Sequence, residues 1–363
     1  MRTLRYSFLL FLILALVPAC GKKKGGGSAA GTKPIPKKIK VAFITNNSQT
    51  FWKYAEAGCK AAEKELRDKG LDVEVIFRMP SKGNATEQRQ LIQDLQVQGV
   101  HAIAVSPNDS KGQTPYFKSL NKKLPLFLVD NDVDESNPAN FAARQYYIGT
   151  NNIAAGQSAG ELLMETAPDG GKIVIFVGKL DAQNAVERRK GVVMKIGGGE
   201  AKSKAQIDQM EAGTYPVTFG KYTLLDTKTD DVSATKCQSL AEDTLTLEKD
   251  LKAMVGLWEY NPPAMYRAAR KKQMLGKVKM VGFDENETTL QGIEEGHIIG
   301  TIVQQPFEFG RQAVHAMVSF LQQDTDELDE KADDHNRVYV PHKTIRKADV
   351  PAFRKKLKEL LGE

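Results

Sequence analysis

Amides, carboxylates and aromatic rings gather in this sequence just after short apolar runs. Asn46 and Asn47 follow Lys40–Thr45 and precede Phe51 and Trp52. Asp130 and Asn131 follow Leu126–Val129, and Asp181, Asn184 and Arg188 lie just beyond Lys172–Val177. Trp258-Glu259-Tyr260-Asn261 follows Ala253–Leu257, Asp284 follows Lys279–Phe283, and Gln304 with Gln305 follows Gly300–Val303. Asp, Asn, Gln and Arg side chains can each pair with two hydroxyls, and the charged ones form the stronger bonds. Phe and Trp faces take the apolar C–H side of a sugar ring. The mixture suits a small polyol, and a site lined for hydroxyls rejects analogues that lack one, because its own groups would be left unpaired.

Each of these residues also has a structural reading. Asp130 and Asp284 can cap the helices that follow them. Asn261, before Pro262-Pro263, can be a turn residue, and Phe51 and Trp52 stand at helical spacing that suits a core. Arg188, beside Arg189 and Lys190, can belong to a solvated charged face. Those readings do not explain why polar planar groups recur at so many run ends together.

The apolar runs are β-rich and do not alternate cleanly, as expected of strands buried on both faces. Helical windows separate them: Thr50–Lys69, Ala85–Gln98, Ala154–Glu165, Ala182–Lys195, Ser233–Leu247, Pro263–Gln273, Thr288–Glu295 and Phe307–Gln322. Strand-then-helix order predicts an α/β protein with parallel sheets. In such sheets ligands bind beyond the carboxyl ends of the strands, where the polar residues stand. A body of this length exceeds one ordinary core, which predicts two lobes. The break is expected near the polar stretch Asp132–Tyr146.

The chain carries net charge +6, but residues 1–40 hold nine Lys/Arg and no acid, leaving 42 basic against 45 acidic residues in the remainder. The folded body is therefore slightly acidic, which argues against a nucleic-acid partner. Cys59 and Cys237 read as buried thiols or, alternatively, as a disulfide. No Cys/His spacing suggests a metal, and no Gly-x-Ser-x-Gly or phosphate loop suggests an enzyme or a cofactor. Gly197-Gly198-Gly199 follows a helix rather than a strand.

Residues 1–20 combine Arg2 and Arg5, an apolar run from Tyr6 to Val17, and Pro18-Ala19-Cys20, the pattern of a secretory signal. The run is shorter than the ~20 residues that cross a bilayer comfortably. Residues 21–38, rich in Lys and Gly, have nothing to bury and predict a tether. Val17-Pro18-Ala19-Cys20 resembles the bacterial lipobox, which implies lipidation of Cys20 and an extracytoplasmic protein held to a membrane.

From about Ile39 to Thr344 the chain resembles the type I periplasmic binding proteins, above all the ribose-binding group of sugar receptors for ABC transporters. The matching segments are Asn46-Asn47 with Phe51-Trp52, Leu124–Asp130, Asp181–Arg188 with Gly191, Asn261, Val281–Asp284 and Gly300–Pro306. The resemblance implies two Rossmann-like lobes joined by a three-segment hinge. The first lobe would be residues 39–146 plus 305–335, the second 147–304 plus 336–348, with a C-terminal helix over 349–363. It also implies ligand contacts from Asn47, Phe51, Trp52, Asp130, Asn131, Asn184, Arg188, Asn261 and Asp284, with Gln304 at the hinge. A monomer would then deliver a sugar to a permease.

Two departures leave the sugar open. Ribose binders carry Arg where Asn131 stands, and a second family arginine falls on Val186. An aromatic of the second lobe falls on Val232, with Trp258 as a substitute. Residues 197–216 look like an insertion. A sensor receptor feeding a kinase is the alternative that sequence does not separate from transport. A lac-repressor-type regulator would begin with a helix-turn-helix, and this chain begins with a leader.

Overall fold

A computed structural model describes residues 36–363. The expected signal, Cys20 and nearly all of the tether lie outside the described residues. Among those residues no helix is long and apolar enough to cross a membrane.

The strands are β1 (Lys38–Ile44), β2 (Asp72–Arg78), β3 (Ala102–Val105), β4 (Leu126–Val129), β5 (Tyr147–Gly149), β6 (Gly171–Val177), β7 (Val217–Phe219), β8 (Tyr222–Thr229), β9 (Leu251–Gly256), β10 (Lys279–Phe283), β11 (Gly300–Val303), β12 (Arg337–Tyr339) and β13 (Lys343–Arg346). They form two sheets, in the orders β12-β5-β4-β3-β1-β2 and β13-β11-β10-β9-β6-β8-β7. All pairings in the first are parallel. In the second, only the edge strands β7 and β13 run antiparallel to their neighbours. This is the expected two-lobed α/β fold.

Strand burial follows the two-faced expectation. In β1, Val41 and Phe43 enter one cluster with the helices Phe51–Asp68 and Pro306–Leu321, while Ala42 and Ile44 enter another on the opposite face. In β6, Ile173, Ile175 and Val177 pack on one side and Val174 and Phe176 on the other. Successive side chains alternate across a strand, so both faces of each sheet must be covered by helices.

The chain passes between lobes three times: between β5 and the helix Asn152–Thr166, at Gln304-Gln305, and between β12 and β13. The expected lobe bounds shift accordingly. Strands β5 and β12 pair with each other in the first sheet, so residues 147–149 and 337–339 belong there and not to the second lobe. Three-residue strands carry too little pattern to declare their sheet. The segment 197–216 holds the helix Glu200–Glu211, and the tail holds the helix Val350–Leu361. Cys59 and Cys237 are free and buried in different clusters, as thiols rather than a disulfide.

Close helix crossings set the site helices. A Cβ on Gly191 would stand 2.3 Å from the Ile153 carbonyl oxygen, and one on Gly156 would stand 2.2 Å from that of Arg188. Only glycine permits that approach, which seats the helix Gln183–Ile196, and Arg188 with it, against Asn152–Thr166.

Candidate ligand-binding site

Asp130 and Asp284 are each the first residue after a strand, β4 and β10 respectively. Both adopt left-handed backbone, with φ of 60° and 63°. Asp tolerates this region better than most residues, because its short polar side chain can bond locally. Each turn is pinned from the neighbouring strand. The Tyr147 hydroxyl donates to the Asp130 carbonyl at 2.9 Å, and the Thr301 hydroxyl donates to the Asp284 carbonyl at 2.8 Å. The two carboxyls are thereby aimed into one gap, one from each lobe.

That gap is a cleft of about 380 Å³. Eight of the ten expected ligand residues border it: Asn47, Phe51, Trp52, Asp130, Asn184, Arg188, Asp284 and Gln304. Asn46, Gln49, Trp258 and Glu259 border it as well. Trp52 meets Phe51 edge-on, with ring centroids 4.9 Å apart, and its indole N–H donates to Asn46 Oδ1 at 3.0 Å. The Asn47 amide is fixed locally, donating to Asn46 Oδ1 and accepting from the Gln49 backbone N–H.

Arg188 is fully buried and ties the cleft together. Its guanidinium donates to Asn152 Oδ1 and to the Leu257 carbonyl, each at 2.9 Å, and to Gln304 Oε1 at 2.5 Å. Gln304 in turn donates to Asp284 Oδ1 at 2.7 Å, while Asp130 Oδ1 lies 3.8 Å from the guanidinium. The planar cation also stacks 4.1 Å above the Phe283 ring.

Two expected residues stand elsewhere. Asn261 is wholly buried outside the cleft; its amide donates to Asp230 at 2.8 Å and its oxygen accepts from the Trp258 backbone N–H at 2.8 Å. It positions Trp258 instead of meeting a ligand in this arrangement. Asn131 accepts from the Asn184 backbone N–H at 3.1 Å and donates to the Pro107 carbonyl, so it bridges the lobes at the cleft's edge. Glu259, which the sequence places beside the aromatics after β9, borders the cleft with its carboxyl held by Asn286.

Two polar atoms on the cleft wall are buried without a partner among the described residues: Asn184 Oδ1 and Trp258 Nε1. Buried polar groups are nearly always satisfied, so an orphan acceptor and an orphan donor on one wall point to a polar occupant that supplies both.

Burial also dominates the electrostatics. It raises Asp130, against the opposing pull of Arg188, Ser106 and Asn184. It lifts Asp284 to about 7, against Arg188 and Gln304. Away from the cleft, burial lifts Glu187 to about 7 and Asp230 to about 6. Asp284, Glu187 and Asp230 keep protons in the fold that an unfolded chain has released by about pH 4 to 5. Where the native state binds more protons, stability falls as pH rises. The unliganded protein should therefore lose stability between about pH 4.5 and 7, and should melt at a lower temperature near pH 8 than near pH 5.5. A calorimetric pH series that rises over this window would contradict the assignment.

A family model described as a periplasmic binding protein domain matches residues 39–325. The chain is 25% identical over 256 residues to the ribose import binding protein of Salmonella typhimurium, covering 70% of this chain and 75% of that one. It is 24% identical over 274 residues to the D-allose-binding periplasmic protein of Escherichia coli, covering 75% and 80%. Among solved structures, a solute-binding protein of an ABC transporter from Burkholderia graminis, in complex with D-arabinose, superposes with a TM-score of 0.70 at 24% identity, covering 86% of this chain and 97% of that one. One from Agrobacterium vitis, bound to α-D-tagatopyranose, gives 0.72 at 19% identity, covering 88% and 98%. A fructose-binding periplasmic domain of a hybrid two-component system gives 0.71 at 14% identity, covering 89% and 95%.

Proposed function

The chain belongs to the periplasmic binding protein domain family, and from that membership and the chemistry of the cleft we propose that it captures a monosaccharide between its lobes and delivers it to an ABC-transporter permease. The observation that carries this reading is the facing pair Asp130 and Asp284, one from each lobe, beside Trp52 and the unpartnered Asn184 and Trp258 atoms. The carboxyls accept sugar hydroxyls, the orphan acceptor and donor take others, and the indole of Trp52 faces the ring's C–H side. Ribose and allose, named for the relatives, are the first candidates.

The ligand bridges both lobes and so favours the closed arrangement over an open one, which is what a differential contact does to a two-state hinge. The leader exports the chain, and a lipid on Cys20 tethers it to a membrane. Presentation of the closed form to a sensor kinase is the second reading, since a two-component sugar sensor shares the fold.

The test is a thermal-shift screen over monosaccharides, followed by small-angle scattering with the best responder. We expect one or a few sugars to raise the melting temperature and to shrink the radius of gyration. A sugar that binds without any compaction would end the hinge proposal. Sugar uptake by membrane vesicles that depends on adding this protein would separate delivery from sensing.

A further inference from the structure

Asp284 and Glu285 are consecutive, yet they border different spaces. Asp284 borders the sugar cleft, whereas Glu285 borders a second cavity of about 470 Å³ that shares no lining residue with the cleft. This cavity lies at the hinge. Tyr54 and Phe307 come from the first lobe's helices Phe51–Asp68 and Pro306–Leu321, and Phe353, Leu357 and Leu360 come from the C-terminal helix. Lys343 and Lys356 also border it.

Val303, Pro306, Phe307, Phe353, Leu357 and Leu360 make the apolar part of the wall, and Gln305, Glu308 and the two lysines make the polar part, with Glu285 among them. Glu285 is only 5% exposed, and its Oε2 is buried with no partner among the described residues. Lys343 and Lys356 border the same cavity, and that oxygen has neither as a partner among the described residues. An unpaired buried oxygen carries a desolvation penalty, which a ligand supplying the partner would remove. Burial, and after it the neighbouring Asp284, holds the Glu285 carboxyl well above the usual range. A protonated carboxyl both donates and accepts, and a hydroxyl is the small group that can answer both.

We propose that the hinge cavity is a second ligand site, which takes a small apolar molecule carrying one hydroxyl and seats that hydroxyl on Glu285. Apolar surface drives entry, and the carboxyl orients the occupant. The site is separate from sugar capture and stands or falls independently of it.

The test uses benzyl alcohol and toluene as probes, followed by methyl NMR of the protein. Benzyl alcohol should shift the methyl signals of Val303, Leu357 and Leu360, and toluene should bind about five- to tenfold more weakly, the value of one hydrogen bond. Glu285→Leu should erase or invert that preference. Leu360→Trp, whose ring occupies the cavity, should remove the response to both probes. Shifts confined to cleft residues, no shift up to the solubility of benzyl alcohol, or an unchanged preference in Glu285→Leu would each overturn the proposal. If Glu285→Leu does not fold, Leu360→Trp decides alone, and an undiminished response in that variant overturns it.

Discussion

Arg188→Ala should lower the melting temperature of the unliganded protein by on the order of 10 °C and abolish the response to every sugar. The guanidinium is buried and makes three hydrogen bonds, to Asn152, the Leu257 carbonyl and Gln304. It is also the cation nearest Asp130, and it opposes the rise of both Asp130 and Asp284. Removing one partner of a buried charge network typically costs about 3–5 kcal/mol, because what remains is left uncompensated. Here the remainder would be two desolvated carboxyls, an unanswered Gln304 oxygen and a cavity over Phe283. Arg188→Lys should rescue little, since an ammonium cannot reproduce a planar fork that reaches three acceptors while lying flat on a ring. Denaturant melts of both variants check this. An Arg188→Ala protein within about 1 kcal/mol of native stability would mean that the network is decorative.

The long elements were readable because their pattern is redundant. Strands β4, β10 and β11 keep the bounds expected from their apolar runs, and the helix Phe51–Asp68 differs from expectation by one residue at each end. The three-residue strands β5, β7 and β12 were not readable in the same way. Strand β5 takes its identity from a partner distant in sequence, Arg337–Tyr339.

The site divides along a similar line. Asp130 and Asp284 could be found because a strand's carboxyl end is a place the fold dictates. Asn261 also follows a strand, but it opens the helix Asn261–Lys271, and its side chain turns toward Asp230. Direction after a strand end depends on the backbone of the next few residues, and spacing carries no signal for it. Glu259 and Trp258 show the converse case. They stood in the right stretch and both border the cleft, while Tyr260 and Asn261 turn to Asp230.

Asp284→Asn should weaken sugar binding by at least about a hundredfold while leaving the unliganded protein as stable as before, or more so. Asn is the informative replacement because position 284 is left-handed, with φ of 63°. Asn accepts that backbone nearly as well as Asp, whereas Ala would add strain of its own. The amide oxygen can still accept from Gln304, as Asp284 Oδ1 does at 2.7 Å. The second oxygen, the one free to accept a hydroxyl, becomes an N–H₂ that cannot. Hydrogen bonds to charged groups contribute about 1.5–3 kcal/mol each, and one carboxylate can serve two hydroxyls. In the unliganded state the same change removes a carboxyl that burial holds near 7, so nothing favourable to folding is lost above that pH. The pH profile supplies the sign. Hydroxyl donors favour the ionised carboxylate, so wild-type affinity should strengthen as pH rises through about 7, with release of a proton on binding. The variant should lose that slope. Calorimetric titrations in two buffers of different ionisation enthalpy measure both quantities, and a variant that binds with native affinity and native proton release would remove Asp284 from the site.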